Sequence, residues 1–130
     1  ADAVLSQAKV AARRVYSMPP AHGALLAGRV LANEGLRRSW EAELRDMCQR
    51  INGLRSQLVE KLQANTGRDF EFIRREKGMF SFLGLSPEEL EALRDRHSVY
   101  MLGSSRINVA GVNASNIDYL THAIGDVLAA

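Results

Sequence analysis

The feature that most constrains the fold is an amphipathic stretch between residues 36 and 62. Apolar side chains recur in it at steps of three and four residues, as they do along one face of an α-helix. These side chains are Leu36, Trp40, Leu44, Met47, Ile51, Leu54, Leu58 and Leu62. Asn33 is a good N-cap before the stretch, and residues 65–67 (NTG) end it. At about 1.5 Å per residue the helix spans roughly 40 Å, which is long for a single small globule, so we predict that it bridges two domains.

Two shorter helices are predicted before this stretch. The first runs from residue 2 to residue 14 and takes Asp2 as its cap. Pro19 and Pro20 stop it, because a residue before proline is pushed out of the α region. Proline is tolerated at the first helical position, so Pro20 opens a second helix that continues to Ala32. The small residues of this helix, which favour close packing against another backbone, are Gly23, Ala24, Ala27 and Gly28.

Beyond residue 67 the pattern changes to short strands mixed with helices. Four segments read as strands: 69–72, 79–83, 99–102 and 107–110. Between them, residues 86–89 (SPEE) contain a complete capping box, so a helix begins at Pro87 and ends near His97. Asn113 or Ser115 then caps a last amphipathic helix. This order of elements predicts an α+β unit in which a small sheet packs with helices.

The overall composition excludes several classes of protein. Hydrophobic residues make up 46% of the chain and charged residues 25%, as in globular proteins and unlike disordered chains. No apolar run approaches the ~20 residues of a membrane span, and the first residues lack the pattern of a signal peptide. Cys48 is the single cysteine, which excludes an internal disulfide and any multi-cysteine zinc site. We therefore predict a protein of the reducing cytoplasm.

The charged residues leave two non-enzymatic alternatives open. Fourteen of the 17 cationic residues are arginines, which is compatible with a non-catalytic α+β module that binds RNA. Between residues 34 and 77, however, ten cations are interspersed with eight acids, and such mixed signs indicate a solvated face. Aromatic residues are only 6% of the chain and are not interleaved with the arginines as stacking platforms. The second alternative is a helical module that binds a protein partner through the stripe at residues 36–62.

The residue pattern contains few candidates for chemistry. The three histidines lie far apart and form no metal-binding pair, and no phosphate-binding glycine loop or nucleophile elbow is present. Two arginines lie at irregular turns, Arg13 just before residues 16–20 and Arg106 just after residues 103–105. An arginine at such a turn is suited to a fork-to-fork contact with a carboxylate. On the residue pattern alone, ordinary surface arginines explain both positions better.

Three segments are similar to one known family. Residues 16–23 (YSMPPAHG) resemble the Tyr-Ser-x-Pro-Pro-x-x-Gly signature of aspartate and aromatic amino acid aminotransferases. Residues 78–85 (GMFSFLGL) and 105–111 (SRINVAG) resemble two further segments of this family, in the same order and with a spacing that fits. The resemblance extends from about residue 8 to residue 128.

The resemblance implies an α/β enzyme of fold type I that uses pyridoxal 5′-phosphate and works as a homodimer. Such an enzyme moves an amino group between an L-amino acid and a 2-oxo acid such as 2-oxoglutarate. Residues 1–45 then correspond to the end of the large cofactor domain, with the start of the long helix. Residues 46–130 correspond to the small C-terminal domain.

The resemblance also implies roles for three residues. In the family, the arginine that matches Arg106 binds the α-carboxylate of the substrate. The arginine that matches Arg13 reaches into the partner subunit's site and binds the distal carboxylate of dicarboxylic substrates. Phe80 matches a position that packs close to the substrate, although a plain core phenylalanine explains it as well.

Two departures from the family pattern concern the choice of substrate. Met18 stands where aspartate aminotransferases usually have asparagine, and residues 103–105 (GSS) precede Arg106 where relatives often have Ser-Gly. Aspartate and the aromatic amino acids therefore both remain candidate substrates.

The resemblance covers only the C-terminal third of such an enzyme, in agreement with the missing initiator methionine. The chain has three lysines, Lys9, Lys61 and Lys77. None falls in the segment that carries the Schiff-base lysine in relatives, which would lie upstream of residue 1. We therefore expect that the chain alone is inactive and does not bind the cofactor covalently.

Overall fold

The computed structural model describes residues 1–129, and the chain divides into two compact units, Ala1–Leu44 and Arg45–Ala130. Its helices are α1 (Asp2–Tyr16), α2 (His22–Ala32), α3 (Glu34–Thr66), α4 (Phe72–Arg75), α5 (Pro87–His97) and α6 (Ile117–Leu128). The strands are β1 (Phe80–Phe82) and β2 (Arg106–Asn108), and a 3₁₀ turn covers Val109–Gly111. None of the helices in the described part of the chain is long and apolar enough to cross a membrane.

The first unit consists of α1, α2 and the first turns of α3. Asp2 was expected to cap α1, but it lies inside the first helical turn, and Ala1 occupies the cap without a side-chain hydrogen bond. Helix α1 also continues two residues beyond the expected end, to Tyr16. Pro20 does not open α2, which begins at His22 with Ala21 as its N-cap and without a side-chain capping hydrogen bond.

No residue of α1 or α2 is buried in the described structure. Several of their apolar side chains are more than two-thirds exposed: Val4, Val15 and Leu25. A methyl group placed on Gly23 or Gly28 would meet nothing within 4 Å among the described residues. The close packing that the small residues of α2 predict is therefore not found within this unit.

Helix α3 has the ends that the sequence predicts. The backbone N–H of Leu36 donates to Asn33 Oδ1 at 3.0 Å, which confirms Asn33 as the N-cap. At the other end Gly67 adopts a φ of 67°, and its N–H donates to the carbonyl of Gln63, so a residue that tolerates the left-handed region closes the helix. The boundary between the two units falls inside α3, after Leu44.

The apolar stripe of α3 has two different environments. In its second half Leu54, Leu58 and Leu62 are buried in the core of the second unit. In its first half the side chains are 40–52% exposed: Leu36, Trp40, Leu44 and Met47.

The second unit contains one small sheet, in which β1 and β2 pair antiparallel with Ser81 opposite Ile107. Ser81 and Ile107 are buried on the core face of the sheet. The side chains on the opposite face are exposed: Phe80, Phe82, Arg106 and Asn108. The α+β class expected for this part of the chain is confirmed, with less strand than the sequence predicts.

Two of the four predicted strands are wrong. At residues 69–72 the Asp69 carboxylate accepts a hydrogen bond from the N–H of Glu71 at 2.7 Å, and this local turn leads directly into α4. At residues 99–102 the N–H of Val99 donates to the carbonyl of Leu93 and completes the C-terminal cap of α5. The segment that follows has no strand partner among the described residues 1–129.

The boundaries of the last two helices differ in how well they follow the sequence. The capping box of α5 is confirmed, since Ser86 accepts from the N–H of Glu89 and the Glu89 carboxylate accepts from the N–H of Ser86. Helix α6 begins at Ile117, later than expected, and neither Asn113 nor Ser115 caps it. The Asn113 side chain accepts instead from the N–H of Ser115 in a turn before the helix.

The core of the second unit is formed by side chains from most of its elements. Its fully buried members are Leu58, Val59 and Leu62 of α3, Ile73 of α4, Leu93 of α5, Val109 after β2, and Ile124 of α6. Helix α6 approaches the end of α3 closely at Gly125, where a Cβ would lie 3.1 Å from Asn65 Cβ. This core supports the exposed face of the sheet, where the candidate site lies.

Candidate functional site

The structure brings two of the three predicted site residues together. Arg106 is the first residue of β2 and Phe80 the first of β1, and both side chains are on the exposed face of the sheet. The Arg106 guanidinium carbon lies 4.6 Å from the centroid of the Phe80 ring. This is a cation–π contact, and it places the guanidinium over the face of the ring. Phe80 is 44% exposed, so its role is not that of a core phenylalanine.

The charge of Arg106 has no carboxylate partner within residues 1–129. Other arginines of the same unit form ion pairs at short range, such as Arg94 with Asp95 at 2.7 Å and Arg74 with Glu60 at 3.1 Å. A guanidinium that stacks on a ring keeps its in-plane N–H donors free. Arg106 is therefore available to bind the carboxylate of a ligand in a bidentate contact.

The backbone before Arg106 is fixed by Ser105. This serine is 2% exposed and has a φ of 61°, in the left-handed region that residues other than glycine rarely adopt. Its hydroxyl accepts a hydrogen bond from the N–H of Leu85 at 3.0 Å, and its carbonyl accepts from the N–H of Leu83 at 3.0 Å. These two bonds tie the turn to the segment that follows β1, and they offset the cost of the unfavourable backbone angle.

A cleft of about 630 Å³ lies beside Arg106. Its walls come from residues 98–102, from β2 and from the beginning of α6, where Tyr119 and Leu120 face it. Arg106 is the only charged residue among those that line it in the described structure. The cleft is thus mostly apolar, with a single cation at one wall.

The buried arginine Arg55 is a part of the site that sequence reasoning missed. It was counted among the interspersed charges of a solvated face, but its side chain is 2% exposed. Its guanidinium donates to the carbonyls of Ile73 (3.0 Å), Gly78 (2.9 Å) and Phe80 (2.8 Å), and to the hydroxyl of Ser81 (3.3 Å). The spacing contains a signal for this burial, since Arg55 lies midway between Ile51 and Val59 in a column of apolar residues at steps of four.

Arg13, the third predicted residue, belongs to the first unit. It lies in the last turn of α1, and its side chain is exposed. Its carbonyl accepts a hydrogen bond from the N–H of Ser17 at 2.8 Å, and Ser17 has a φ of 54°. The helix therefore ends abruptly after Tyr16, within one turn of Arg13.

The lysines of the chain do not fit covalent retention of pyridoxal phosphate near Arg106. Lys61 forms an ion pair with Asp118 at 2.5 Å, and Lys9 and Lys77 are exposed. No lysine lines the cleft beside Arg106 in the described structure. The donor groups around Arg106 fit a carboxylate, and the described residues also contain no cluster of three or more groups that could hold a metal.

The fold thus places an arginine that has no carboxylate partner in residues 1–129 on the exposed face of a two-stranded sheet. The chain belongs to the family described as aminotransferase class I and II, whose model matches residues 1–124. The resemblance stated from the three sequence segments is thereby confirmed.

Relatives of known name agree with this family. The chain is 47% identical over 128 residues to the aspartate aminotransferase of Escherichia coli strain K12, and the alignment covers 98% of this chain and 32% of that protein. An aromatic-amino-acid aminotransferase from Burkholderia pseudomallei, covalently bound to pyridoxal phosphate, superposes with a TM-score of 0.90 at 43% identity. An aromatic amino acid aminotransferase from Psychrobacter sp. B6, cocrystallised with aspartic acid, has a TM-score of 0.88 at 41% identity.

Both structures cover 98% of this chain, and each is matched over 32% of its own length. The chain therefore spans about a third of the length of these relatives.

Proposed function

We propose that this chain is the substrate-carboxylate-binding part of an aminotransferase that uses pyridoxal 5′-phosphate. The enzyme moves an amino group between L-aspartate or an aromatic L-amino acid and 2-oxoglutarate. Family membership and the names of the relatives support this proposal. The observation that carries it in the structure is the guanidinium of Arg106, stacked on Phe80 and without a carboxylate partner in residues 1–129.

Arg106 binds the α-carboxylate that every amino-acid substrate carries. Two parallel N–H donors of a guanidinium match the two oxygens of a carboxylate, so the contact fixes both the position and the orientation of the substrate. Phe80 covers one face of the guanidinium and restricts its rotation. The substrate is thereby held in one orientation while its amino group reacts.

Arg13 binds the second carboxylate of dicarboxylic substrates, in the site of a partner subunit of a homodimer. Aromatic substrates have no charge at that end, so they do not use this contact. Met18 lies five residues beyond Arg13, where aspartate aminotransferases usually carry a polar asparagine. An apolar thioether at this position favours a site that accepts aromatic side chains as well as aspartate.

Pyridoxal phosphate, when bound, supplies the electron sink for amino transfer. Its lysine comes from a part of the enzyme outside these 130 residues, which is consistent with the places of Lys9, Lys61 and Lys77. We assign residues 1–45 to the end of the cofactor domain and residues 46–130 to the small C-terminal domain. The single cysteine favours a cytoplasmic location for the enzyme.

Replacement of Arg106 tests the role of this residue in the full-length enzyme. We expect Arg106→Ala to lower kcat/KM for aspartate and for phenylalanine alike, because both share the α-carboxylate. The loss corresponds to roughly 3–5 kcal/mol of transition-state binding free energy. Arg94→Ala is the matched control, since Arg94 is an exposed arginine of the same unit that pairs with its neighbour Asp95. Equal kinetics for the Arg106→Ala and Arg94→Ala enzymes would contradict the proposal.

Replacement of Arg13 tests substrate selectivity. We expect Arg13→Ala to reduce kcat/KM for aspartate by a factor at least ~100 larger than for phenylalanine, since only aspartate leaves a carboxylate unpaired. Arg14→Ala, at the next position of the same helix, is the control and should affect both substrates equally. If Arg13→Ala lowers both substrates by the same factor, Arg13 does not bind the distal carboxylate.

A further inference from the structure

We propose that Arg55 is a positioning residue for Arg106. It holds β1 by its free edge and so keeps the Phe80 ring beneath the Arg106 guanidinium. This inference rests on the proposed function, because it takes Arg106 as the group that binds the substrate carboxylate.

The contacts of Arg55 lie on the edge of β1 that has no strand partner in residues 1–129. Successive backbone carbonyls of a strand point to opposite sides. The carbonyl of Met79 points towards β2 and accepts from the N–H of Val109 at 2.7 Å. The carbonyls of Gly78 and Phe80 point the other way, and both accept from the same nitrogen of Arg55, Nη2, at 2.9 and 2.8 Å. Arg55 thus occupies the place where the donors of a third strand would lie.

The second nitrogen, Nη1, ties this edge to the core. It donates to the carbonyl of Ile73 in α4 and to the hydroxyl of Ser81, a fully buried residue of β1. The Ser81 hydroxyl in turn donates to the carboxylate of Glu76, which lies 3.5 Å from Nη1. Glu76 is the only carboxylate within ion-pair distance of Arg55 among the described residues.

A planar guanidinium is required for this set of contacts. The two nitrogens donate to four acceptors at once. These acceptors lie in α4, in the loop between α4 and β1, and in β1. The single ammonium nitrogen of a lysine cannot reach all four with the same geometry. A buried charge with unsatisfied donors is costly, so the loop is held where the guanidinium needs its carbonyls.

The position of β1 determines the support of Arg106. The Phe80 carbonyl accepts a hydrogen bond from Arg55, and the Phe80 ring lies against the Arg106 guanidinium, so one residue connects the two arginines. A loosened edge would let the ring move from under the guanidinium, whose fork would then lose its fixed orientation. The expected consequence is weaker carboxylate binding with little change in the steps that follow binding.

The experiment measures carboxylate affinity in the full-length holoenzyme by isothermal titration calorimetry. Succinate and 3-phenylpropionate are the probes, because they carry carboxylates and no amino group that could be transferred. The variants are Arg55→Lys, which keeps the charge and removes the fork, and Arg94→Lys as the matched control at an exposed position. Each is made in the parent and in a Phe80→Ala background, which completes a double-mutant cycle.

We expect Arg55→Lys to raise the Kd of the probes about tenfold in the parent and less than about twofold in the Phe80→Ala background. Its kcat should stay within about threefold of the parent while KM rises. Equal losses in both backgrounds would show that Arg55 does not act through Phe80 and would overturn the proposal. An unchanged Kd in the parent would overturn it as well.

Two additions keep the result decisive. If Arg55→Lys does not fold, the same cycle is run with Glu76→Gln, which removes the counter-ion of Arg55 at a part-exposed position and should weaken binding through Phe80 in the same way.

Arg106→Ala is titrated alongside. If neither probe binds the parent, or if Arg106→Ala leaves their Kd unchanged, the proposed function is wrong. If Arg106→Ala weakens binding and the Arg55 cycle shows no coupling, only the role of Arg55 is wrong.

Discussion

Ser105 shows how one residue can hold an unfavourable backbone angle next to Arg106, the proposed binding residue. Its left-handed conformation costs about 1–2 kcal/mol for a residue with a Cβ, and its buried hydroxyl offsets part of this by accepting from the N–H of Leu85. The hydrogen bond of the buried hydroxyl and the unfavourable backbone angle therefore act in opposite directions on the stability of the turn.

This balance predicts the order of stability of two variants. Ser105→Ala loses the hydrogen bond and keeps the unfavourable angle, so its free energy of unfolding should fall by about 2 kcal/mol. Ser105→Gly loses the hydrogen bond and relieves the angle, so its loss should be about 1 kcal/mol smaller. Urea unfolding of the two variants measures the difference. An alanine variant at least as stable as the glycine variant would contradict the assignment of strain to this turn.

At the scale of elements, α3 and α6 are joined by an ion pair whose strength depends on pH. Lys61 of α3 donates to Asp118 in the first turn of α6, and this hydrogen bond, together with the positive charge, lowers the pKa of Asp118 below its ordinary value. A carboxylate with a lowered pKa stabilises the folded state above its ordinary pKa. That stabilisation is lost as the pH falls through the lowered value.

We therefore expect Lys61→Gln to return the pKa of Asp118 towards its ordinary value. The variant should be less stable than the parent at neutral pH and equally stable at a pH below both pKa values. A carboxyl-carbon NMR titration of Asp118 measures the first effect, and unfolding at the two pH values measures the second. A difference in stability that persists in strong acid would assign the effect of Lys61 to packing.

Two glycines in helices predict opposite effects of the same substitution. Gly53 lies inside α3, and a Cβ there meets nothing within 4 Å, so Gly53→Ala should raise the free energy of unfolding by about 1 kcal/mol. At Gly125 of α6 a Cβ would lie 3.1 Å from Asn65 Cβ and 3.2 Å from Asn65 O, so Gly125→Ala should lower it by about 1 kcal/mol. Urea unfolding compares the two variants. A Gly125→Ala variant at least as stable as the parent would mean that α6 does not approach α3 as closely as described.

The limits of sequence reasoning follow from how local each feature is. The Ser86–Glu89 capping box and the Asn33 cap are formed by neighbours in sequence, and both are confirmed. The strand predicted at residues 69–72 failed because one Asp69 hydrogen bond favours a turn, which alternation of apolar residues does not register.

The candidate site was harder to predict from the sequence than the fold. Arg106 and Phe80 were singled out through family resemblance. Their contact depends on the register of two strands that are separated by 23 residues, 83–105. Arg55 was assigned to solvent because it is charged. Its burial depends on carbonyls that α4 and β1 bring together from 18 to 25 residues away, and no local sequence pattern predicts these contacts.

At the scale of the whole molecule, residues 1–129 place no lysine in the cleft beside Arg106, the arginine that we propose binds the substrate carboxylate. Borohydride reduction traps pyridoxal phosphate on any amine to which it is bound, and peptide mass spectrometry locates the amine. With the 130-residue chain we expect labelling that does not saturate and that spreads over the exposed amines, Lys9 and Lys77 above all, with less at Lys61 because Asp118 pairs with it. Amino transfer from aspartate to 2-oxoglutarate should not exceed the rate with free cofactor. Stoichiometric labelling of one lysine, together with turnover above that rate, would show that the chain contains a complete active site.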